Sequence, residues 1–485
     1  MLTGLPAWLT KAYEVFGSER PFAELAALIG RDQALLAHLM RMQGCDPSAI
    51  SAVKASATIK AYASEMFARL CDVAVPVDRL LVQGGDPRLL LDSRTGTNSY
   101  GCQPRPQPDV TDFGSATASS ISAPAFVAVE ALRQRLAAAA FAGRLPAALE
   151  AETESVKHTL LEACSTPAAE GYEAVLTASG TDTEFVALNL ALLDGSTTLL
   201  NIVVGPDESG SGVPMAAAGR HFAKRTALGH AVAVNTPLES DFPDRVKVAC
   251  IAVRTRRGAP RPINAIAREV NRLAEQAVAT GSRCLIHVLD SSKTGLGAPS
   301  LACIERLRAG FGDKIDIVVD ACQMRLDPTA IAAYAERGYM VQVTGSKFFT
   351  GPPFSGALIL PPTIAARTGQ LQPVPASLGA YSTRAEWPLG WQHACRNLPE
   401  TGNFGLLCRW RAAMAEIQRY RAIPPSEAFD ILAKFAEVAK AEAGPHAAEW
   451  RAAERDWNAA RLRLAQANLA ARAARRAHAT QDAAK

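Results

Sequence analysis

From about residue 126 to residue 365, short apolar runs alternate with stretches of helical periodicity, which restricts the chain to few architectures. Helical stretches are predicted near 126–142, 148–165, 182–193, 263–280, 300–310 and 328–337. The runs between them are rich in β-branched residues: YEAVLTA, TLLNIVV, HAVAV, VKVACIAV, CLIHVL, IDIVVD, MVQVTG and GALIL. Apolar strands separated by helices predict an α/β fold whose mainly parallel sheet is covered on both faces. Ligands of such sheets bind at the carboxyl ends of the strands.

The segments around this region differ in composition. Residues 1–90 show helical periodicity and predict an N-terminal helical segment. Residues 91–125 are rich in Gly, Pro, Ser and Thr and form either a surface linker or an active-site loop. Residues 126–370 constitute the predicted large α/β domain. Residues 371–485 are predicted to be a small C-terminal domain ending in an Ala- and Arg-rich helix.

Composition excludes several classes of function. The formal net charge is only +4 over 485 residues, so we expect no nucleic-acid partner. None of the ten cysteines lies in a CxxC pair, so we predict neither a metal site nor a redox dithiol. Free cysteines favour a reducing compartment. Because the sequence shows no secretory signal and no run of about 18 apolar residues, we expect a cytoplasmic protein without a membrane span.

Three motifs follow predicted strands. VLTASGTDTE (175–184) places a Ser-Gly-Thr turn at the start of a helix, where backbone N–H groups can bind an anion such as phosphate. IDIVVDACQMRLDP (315–328) ends its strand at Asp320, which is either a turn aspartate or a carboxylate that pairs with a protonated ring nitrogen. MVQVTGSKFFTGPPFSGALIL (340–360) places Lys347 between two buried strands. Burial of a lysine favours the neutral amine that forms an imine with an aldehyde.

The ordered set Ser-Gly-Thr, Asp-Ala-Cys-Gln and Gly-Ser-Lys-x-x-x-Gly-Pro-Pro-x-x-Gly resembles fold-type I pyridoxal-phosphate (PLP) enzymes. It is most similar to the class V aminotransferase and cysteine desulfurase group, and HVLDSSKTGLGAPS (287–300) resembles that group's loop before the aspartate strand. The resemblance covers roughly residues 170–365. It implies a mainly parallel seven-stranded sheet between helices and a homodimer with its sites at the interface. It also implies pyridoxal 5'-phosphate held as a Schiff base on Lys347.

The same resemblance assigns further roles. Lys347 would also shuttle the proton at the substrate α-carbon. Asp320 would pair with the pyridine nitrogen, and Gln323 would hydrogen-bond the phenolic oxygen of the ring. The residues that would hold the phosphate are Gly180, Thr181 and Ser346. Thr350 would reach the phosphate of a neighbouring subunit.

Substrate contacts are predicted from charge. An amino-acid carboxylate favours a bidentate arginine, and Arg396, in the polar loop before a helix, is the first choice. Arg94, Arg105 and Arg409 are alternatives, and for any single one of these four arginines the interpretation as an ordinary surface residue is favoured. Tyr100 is a candidate contact from the Gly-rich loop. Relatives place a ring over the cofactor face, but the corresponding stretch VVGPDESGSGVP (203–214) contains no ring.

The predicted function is a class V-like aminotransferase that acts on an amino acid and a keto acid. A PLP-dependent lyase that cleaves a carbon–sulfur or carbon–carbon bond is the first alternative, because both reactions start from the same cofactor adduct. A desulfurase needs a mobile cysteine, and Cys395 and Cys408 are available, although their helical context favours packed thiols. A non-catalytic PLP-binding protein is the second alternative.

Overall fold

Seven strands form one sheet in the order β1-β7-β6-β5-β4-β2-β3 in the computed structural model, which describes residues 75–110, 119–141, 144–192, 198–367 and 372–442. The strands are β1 (Glu173–Thr177), β2 (Leu199–Val204), β3 (Val246–Ile251), β4 (Arg283–Leu289), β5 (Ile315–Asp320), β6 (Met340–Thr344) and β7 (Gly356–Leu360). The helices are α1 (Val77–Leu80), α2 (Ala123–Phe141), α3 (Leu145–Ala163), α4 (Thr183–Ala191), α5 (Val213–Ala217), α6 (Phe242–Arg245), α7 (Ile263–Ala279), α8 (Leu301–Phe311), α9 (Pro328–Glu336), α10 (Pro362–Arg367), α11 (Phe404–Arg421) and α12 (Pro425–Glu442).

The strand directions confirm the predicted mainly parallel seven-stranded sheet between helices. Strands β2 to β6 pair in parallel, whereas β7 runs antiparallel to both β6 and β1. Because β7 reverses the direction twice, β1 runs the same way as β6. The strands β1, β5 and β6 therefore end at the same edge of the sheet, which is where the three motifs lie.

Both faces of the sheet are buried, which explains why the strands are continuous apolar runs. On β5, Ile317 and Val319 belong to one hydrophobic cluster and Val318 to another. Helices α2, α3, α7, α8 and α11 contribute to the first cluster, and α4, all nine residues of which are buried, covers the second. Each fully buried Val, Leu or Ile contributes roughly 1.5–3 kcal/mol.

The six predicted helices correspond to α2, α3, α4, α7, α8 and α9. The prediction of a strand at HAVAV (230–234) is wrong. Apart from an isolated bridge between Arg225 and Ala231, this run pairs with no strand in the described part of the chain. Ala231, Ala233 and Val234 are exposed, so a strand here would have had no buried face to stabilise it.

Other predictions fall partly outside the described residues. The predicted N-terminal helices at 1–74 and the predicted Ala- and Arg-rich helix, which follows residue 442, lie there. Residues 91–110 contain neither helix nor strand, as expected for a loop. The four segment boundaries stay predictions. Among the described helices, none has the length and apolar character needed to cross a bilayer.

Candidate active site

The turns that follow β1, β5 and β6 are in direct contact. A Cβ atom placed on Gly180, after β1, would lie 2.8 Å from Cys322 Sγ, after β5, and 3.4 Å from Cγ2 of Thr344, at the end of β6. Thr344 Oγ1 also donates a hydrogen bond of 2.7 Å to the Cys322 carbonyl. The three sequence motifs thus meet at one edge of the sheet, as the parallel arrangement predicts.

Lys347 lies on the turn between β6 and β7, residues 345–355. Gly351 N–H donates to the Gly345 carbonyl at 3.0 Å, and Thr350 N–H donates to the Lys347 carbonyl at 2.9 Å. A Cβ on Gly351 would lie 2.8 Å from Cβ of Ala413 on α11, so the turn packs tightly on that helix. The Lys347 side chain is half-buried, and within the described ranges its Nζ has neither a hydrogen bond nor an ion pair. Its amine is therefore available to a ligand.

Asp320 is the last residue of β5, and its side chain is held from its own turn. Cys322 N–H donates to Asp320 Oδ1 at 3.0 Å, and the Cys322 thiol also hydrogen-bonds this carboxylate. Burial raises the pKa of the Cys322 thiol well above its ordinary value, the nearby Asp320 charge raises it further, and Lys347 opposes the shift. Cys322 therefore remains a thiol that packs between Asp320 and the Gly180 turn.

Two buried polar atoms beside these turns have no hydrogen-bond partner in the described part of the chain, namely Gln323 Oε1 and Ser209 Oγ. Gln323 is 5 % exposed, and Ser346, beside Lys347, is 3 % exposed. An unpaired buried polar atom costs about 1–3 kcal/mol, so such atoms are expected where a ligand completes the hydrogen bonding.

The Ser-Gly-Thr turn contains a buried carboxyl group. Ser179 Oγ accepts from the N–H groups of Thr181 and Asp182, and it donates to Asp182 Oδ2 at 2.5 Å. Burial raises the pKa of Asp182 to about 7, and the hydrogen bond from Ser179 opposes this shift. The turn can therefore carry a largely neutral acid in mildly acidic solution and gains a negative charge above neutrality.

The predicted contact Tyr100 lies near an arginine that the sequence analysis missed. Arg88 Nε donates to both carboxylate oxygens of the buried Asp86, at 2.9 and 3.0 Å, and its Nη1 donates to Tyr100 Oη at 3.2 Å. The guanidinium lies over the ring of Phe354, 4.8 Å from its centroid. Because Phe354 belongs to the Lys347 turn, the 86–100 loop packs directly on that turn. In the sequence, Asp86-Pro87-Arg88 is typical of the start of a helix, so only the tertiary structure shows that Arg88 contacts the Lys347 turn.

The sequence also did not predict a cluster of buried polar side chains next to Asp320. Glu184, in the first turn of α4, accepts from Gln342 Nε2 at 2.7 Å, and its other oxygen lies 3.2 Å from His287 Nε2. All three side chains are nearly inaccessible to solvent. In the sequence, Glu184 resembles an acidic residue that stabilises a helix N-terminus and His287 resembles a packed strand residue.

The stretch 203–214, where a ring was expected over the cofactor, is held by Glu208. This carboxylate accepts from Arg254 Nε at 2.5 Å, from Ser292 Oγ at 2.8 Å and from Thr294 Oγ1. Although burial opposes it, these hydrogen bonds keep the pKa of Glu208 below its ordinary value. The side chain therefore fastens the loop. An aromatic ring, that of Phe222, packs against the same loop at Gly212.

The remaining predicted residues occupy varied positions. Thr181 is 7 % exposed at the start of α4, whereas Thr350 is exposed on the Lys347 turn. Arg396 is exposed, and its backbone carbonyl accepts from Arg384 Nη2 at 2.7 Å. Arg409 is completely buried and binds backbone carbonyls, so it is not available to a substrate. The roles assigned to the other residues stay predictions.

No protein-family model and no curated protein matches the sequence. Among solved structures, the chain is similar to a cysteine desulfurase from Escherichia coli, with 18 % identity, 67 % of this chain and 72 % of the other covered, and a TM-score of 0.38. It is also similar to 4-hydroxyphenylacetaldehyde synthase from Rhodiola rosea, with 10 % identity, 74 % and 76 % covered, and a TM-score of 0.40. An omega-transaminase from Sphaerobacter thermophilus matches with 17 % identity, 60 % and 57 % covered, and a TM-score of 0.35. At these TM-scores the likeness assigns no activity to this chain.

Proposed function

We propose that this chain is a PLP-dependent enzyme that binds its cofactor through Lys347 and acts on an amino acid as a class V-like aminotransferase. One observation carries the proposal. The Lys347 amine, without a hydrogen bond or ion pair in the described part of the chain, lies near the Cys322 thiol, and that thiol contacts both Asp320 and the Ser-Gly-Thr turn. A lysine amine, a carboxylate and an anion-binding turn are the three groups that this cofactor needs.

The side chains around Lys347 fit the cofactor. Gln323 Oε1 is buried without a partner in the described residues and could accept a hydrogen bond from the ring's phenolic oxygen or its protonated imine. A Cβ on Gly180 would lie 2.8 Å from Cys322 Sγ, so a glycine allows this turn to pack on the end of β5 while its backbone N–H groups remain open to a phosphate. The buried Ser346 would donate its hydroxyl to the phosphate. When bound, the cofactor withdraws electrons from the substrate α-carbon.

The protein side of the reaction then has three parts. The Lys347 amine would hold the cofactor through its aldehyde and would also move the proton at the substrate α-carbon. Asp320 would pair with the ring nitrogen through a charge-assisted hydrogen bond. Tight packing of the Lys347 turn on α11 keeps the amine in place.

For the substrate carboxylate, the geometry favours Arg88 over Arg396. Arg88 is oriented by Asp86, lies against the Lys347 turn through Phe354 and is 37 % exposed at its side chain. Arg396 is exposed to solvent and its side chain has no hydrogen bond with the described residues. Arginine binds carboxylates through two parallel hydrogen bonds, which requires such an oriented guanidinium.

The first test is to add PLP to the purified protein, record the absorbance spectrum, reduce with borohydride and map the labelled peptide. We expect a visible band and a pyridoxyl mass on the peptide that contains Lys347, and loss of both in Lys347→Ala. Lys314, which precedes β5 at the opposite edge of the sheet, provides the control, and Lys314→Ala should keep the label. A label on another lysine, or no band, would refute the proposal.

The reaction type is tested with a panel of amino acids. An aminotransferase converts the bound cofactor to pyridoxamine phosphate and releases a keto acid, and a second keto acid restores the original spectrum. Release of sulfide or of a cleaved fragment would instead establish the lyase, and absence of any spectral change would establish a non-catalytic binding protein. Light scattering would test the proposed homodimer, in which Thr350, exposed on the Lys347 turn, would reach the partner's phosphate.

A further inference from the structure

Glu184 spans the strand that carries Asp320. One of its oxygens accepts from Gln342 on β6 and the other lies 3.2 Å from His287 Nε2 on β4. Because β5 lies between β6 and β4, the Glu184 carboxyl group lies across β5. Gln342 is the register partner of Asp320, and His287 is the register partner of Val318, two residues before Asp320 on the same face. The side chains of Asp320, Gln342 and His287 therefore lie on one face of the sheet, and Glu184 on α4 contacts that face.

The contact between Glu184 and His287 needs one proton. Glu184 Oε2 and His287 Nε2 are both buried, and neither has another hydrogen-bond partner in the described part of the chain. If neither atom carried a proton, each could only accept a hydrogen bond and both would remain unsatisfied, which costs free energy in the protein interior. A proton on Glu184 Oε2 that points to His287 Nε2 satisfies both atoms and leaves the imidazole proton on Nδ1, whereas a proton on His287 Nε2 that points to a Glu184 carboxylate satisfies both atoms equally.

The electrostatics favour the first placement, with the proton on Glu184. Burial raises the pKa of Glu184 to about 8, the hydrogen bond from Gln342 opposes this shift, and the Asp320 charge adds to it. Burial lowers the pKa of His287 to about 4, and Asp320 opposes that shift. Between these two values, the pair is a neutral acid that donates to a neutral imidazole.

We infer that Glu184 and His287 are positioning residues for Asp320: they share one proton beneath it, and Glu184 sets the charge beside the ring nitrogen. This inference rests on the proposed function. Besides the pair itself, the titratable groups that face Asp320 among the described residues are Cys322, which hydrogen-bonds it, and Asp290, directly after β4. The Lys347 amine is near Cys322.

The inference predicts a specific pH dependence. Below about pH 8, Glu184 is protonated and adds no charge beside Asp320. As the pH rises through 8, Glu184 ionises and adds a negative charge there, which favours a protonated ring nitrogen. Glu184→Gln keeps both hydrogen bonds, because its amide oxygen can accept from Gln342 and its amide nitrogen can donate to His287, but it cannot ionise.

The first experiment uses the cofactor-free protein. We would label histidine with ¹⁵N and record the ring nitrogens from pH 5 to 9, with His287→Gln to assign the signal. We expect the Nδ1–H tautomer at pH 6–7 and a shift of the Nε2 signal near pH 8 that is absent in Glu184→Gln. A protonated ring at pH 6–7, or the Nε2–H tautomer, would overturn the proton placement.

The second experiment compares the affinity of the protein for PLP with its affinity for the analogue in which C–H replaces the ring nitrogen. The ratio isolates the ring nitrogen, because the phosphate and aldehyde are the same. Because the ring nitrogen also titrates in free PLP, the ratio is compared with that of Glu184→Gln at the same pH. Relative to this variant, we expect the ratio of the unmodified protein to rise roughly three- to tenfold between pH 7 and 9, since one pKa unit corresponds to a factor of ten.

A matched control is Glu386→Gln. Glu386 is another buried carboxyl group whose pKa burial raises to about 7, but it accepts from Ser382 and Thr383, away from Asp320. Its variant should reproduce the rise of the unmodified protein. A rise in Glu184→Gln as large as in the control would overturn the inference. No binding of PLP at all would overturn the proposed function instead, and the nitrogen spectra of the cofactor-free protein would still decide where the proton lies.

Discussion

Replacement of Arg409 by methionine tests how the Lys347 turn is held in place. Arg409 lies on α11 and is fully buried. Its guanidinium donates to the carbonyls of Phe354 at 2.6 Å, of Leu81 at 3.1 Å and of Gly84 at 2.7 Å, and also to the carbonyl of Gln83. One side chain thus fastens the 81–84 segment, which leads into the Arg88 loop, to the turn that carries Lys347.

The magnitude follows from what methionine leaves unpaired. Phe354 and Leu81 are buried, so their carbonyls would lose a partner that water cannot easily replace, whereas Gln83 is exposed and Gly84 half-buried. Each unsatisfied buried group costs about 1–3 kcal/mol. Removal of a buried charge offsets part of this loss. We therefore expect Arg409→Met to lower the free energy of unfolding by about 3 kcal/mol.

The assay is urea denaturation followed by tryptophan fluorescence, together with limited proteolysis near residues 81–90. Arg411→Met is the matched control, because Arg411 lies on the same helix but is only half-buried. We expect the Arg409 variant to be cleaved faster and to bind PLP more weakly, because its Lys347 turn is less constrained. If the free energies of unfolding of the two variants agreed within about 0.5 kcal/mol, the change typical of surface substitutions, the reasoning would be wrong.

Two further predictions concern the Ser-Gly-Thr turn. Asp182→Asn should stabilise the protein at pH 8 by up to about 4 kcal/mol, because burial raises the pKa of Asp182 from 3.8 to about 7. The gain should vanish below about pH 4, where Asp182 is protonated in both the folded and the unfolded protein, and urea titrations at pH 4 and pH 8 measure it. Gly180→Ala should weaken PLP binding about tenfold, because the new Cβ would lie 2.8 Å from Cys322 Sγ. Adding Cys322→Ala to this variant should recover part of the lost affinity. Equal affinity of the single and double variants in a fluorescence titration would contradict this steric explanation.

The sequence predicts most of the sheet because its strands are buried on both faces and therefore form uninterrupted apolar runs. The same rule failed at 230–234, where HAVAV has the composition of a strand but is largely exposed to solvent. Composition alone does not determine whether an apolar run is buried. The position of Lys347, Asp320 and the Ser-Gly-Thr turn at one sheet edge was predictable, because parallel strands place their carboxyl ends together.

The rest of the candidate site depends on contacts between distant residues. Arg88 meets Phe354 across more than 260 residues of sequence, and Glu184 meets Gln342 across 158 residues. No local pattern marks such pairs, since each residue has an ordinary local explanation as a cap or a packed side chain. Arg396, by contrast, has the charge that a carboxylate-binding residue needs, and only the tertiary structure shows that its side chain is exposed to solvent.

Burial lowers the negative charge that two acidic residues at this sheet edge carry in neutral solution. Asp182 and Glu184 are close together in sequence and both are fully buried, so each resists ionisation, with pKa values of about 7 and 8. Asp320, at the end of β5, accepts hydrogen bonds from the backbone and thiol of Cys322. A phosphate requires few negative charges at its turn. The raised pKa values of Asp182 and Glu184 reduce the negative charge around the Ser-Gly-Thr turn, and counting acidic residues in the sequence would have suggested a site too negative for an anionic cofactor.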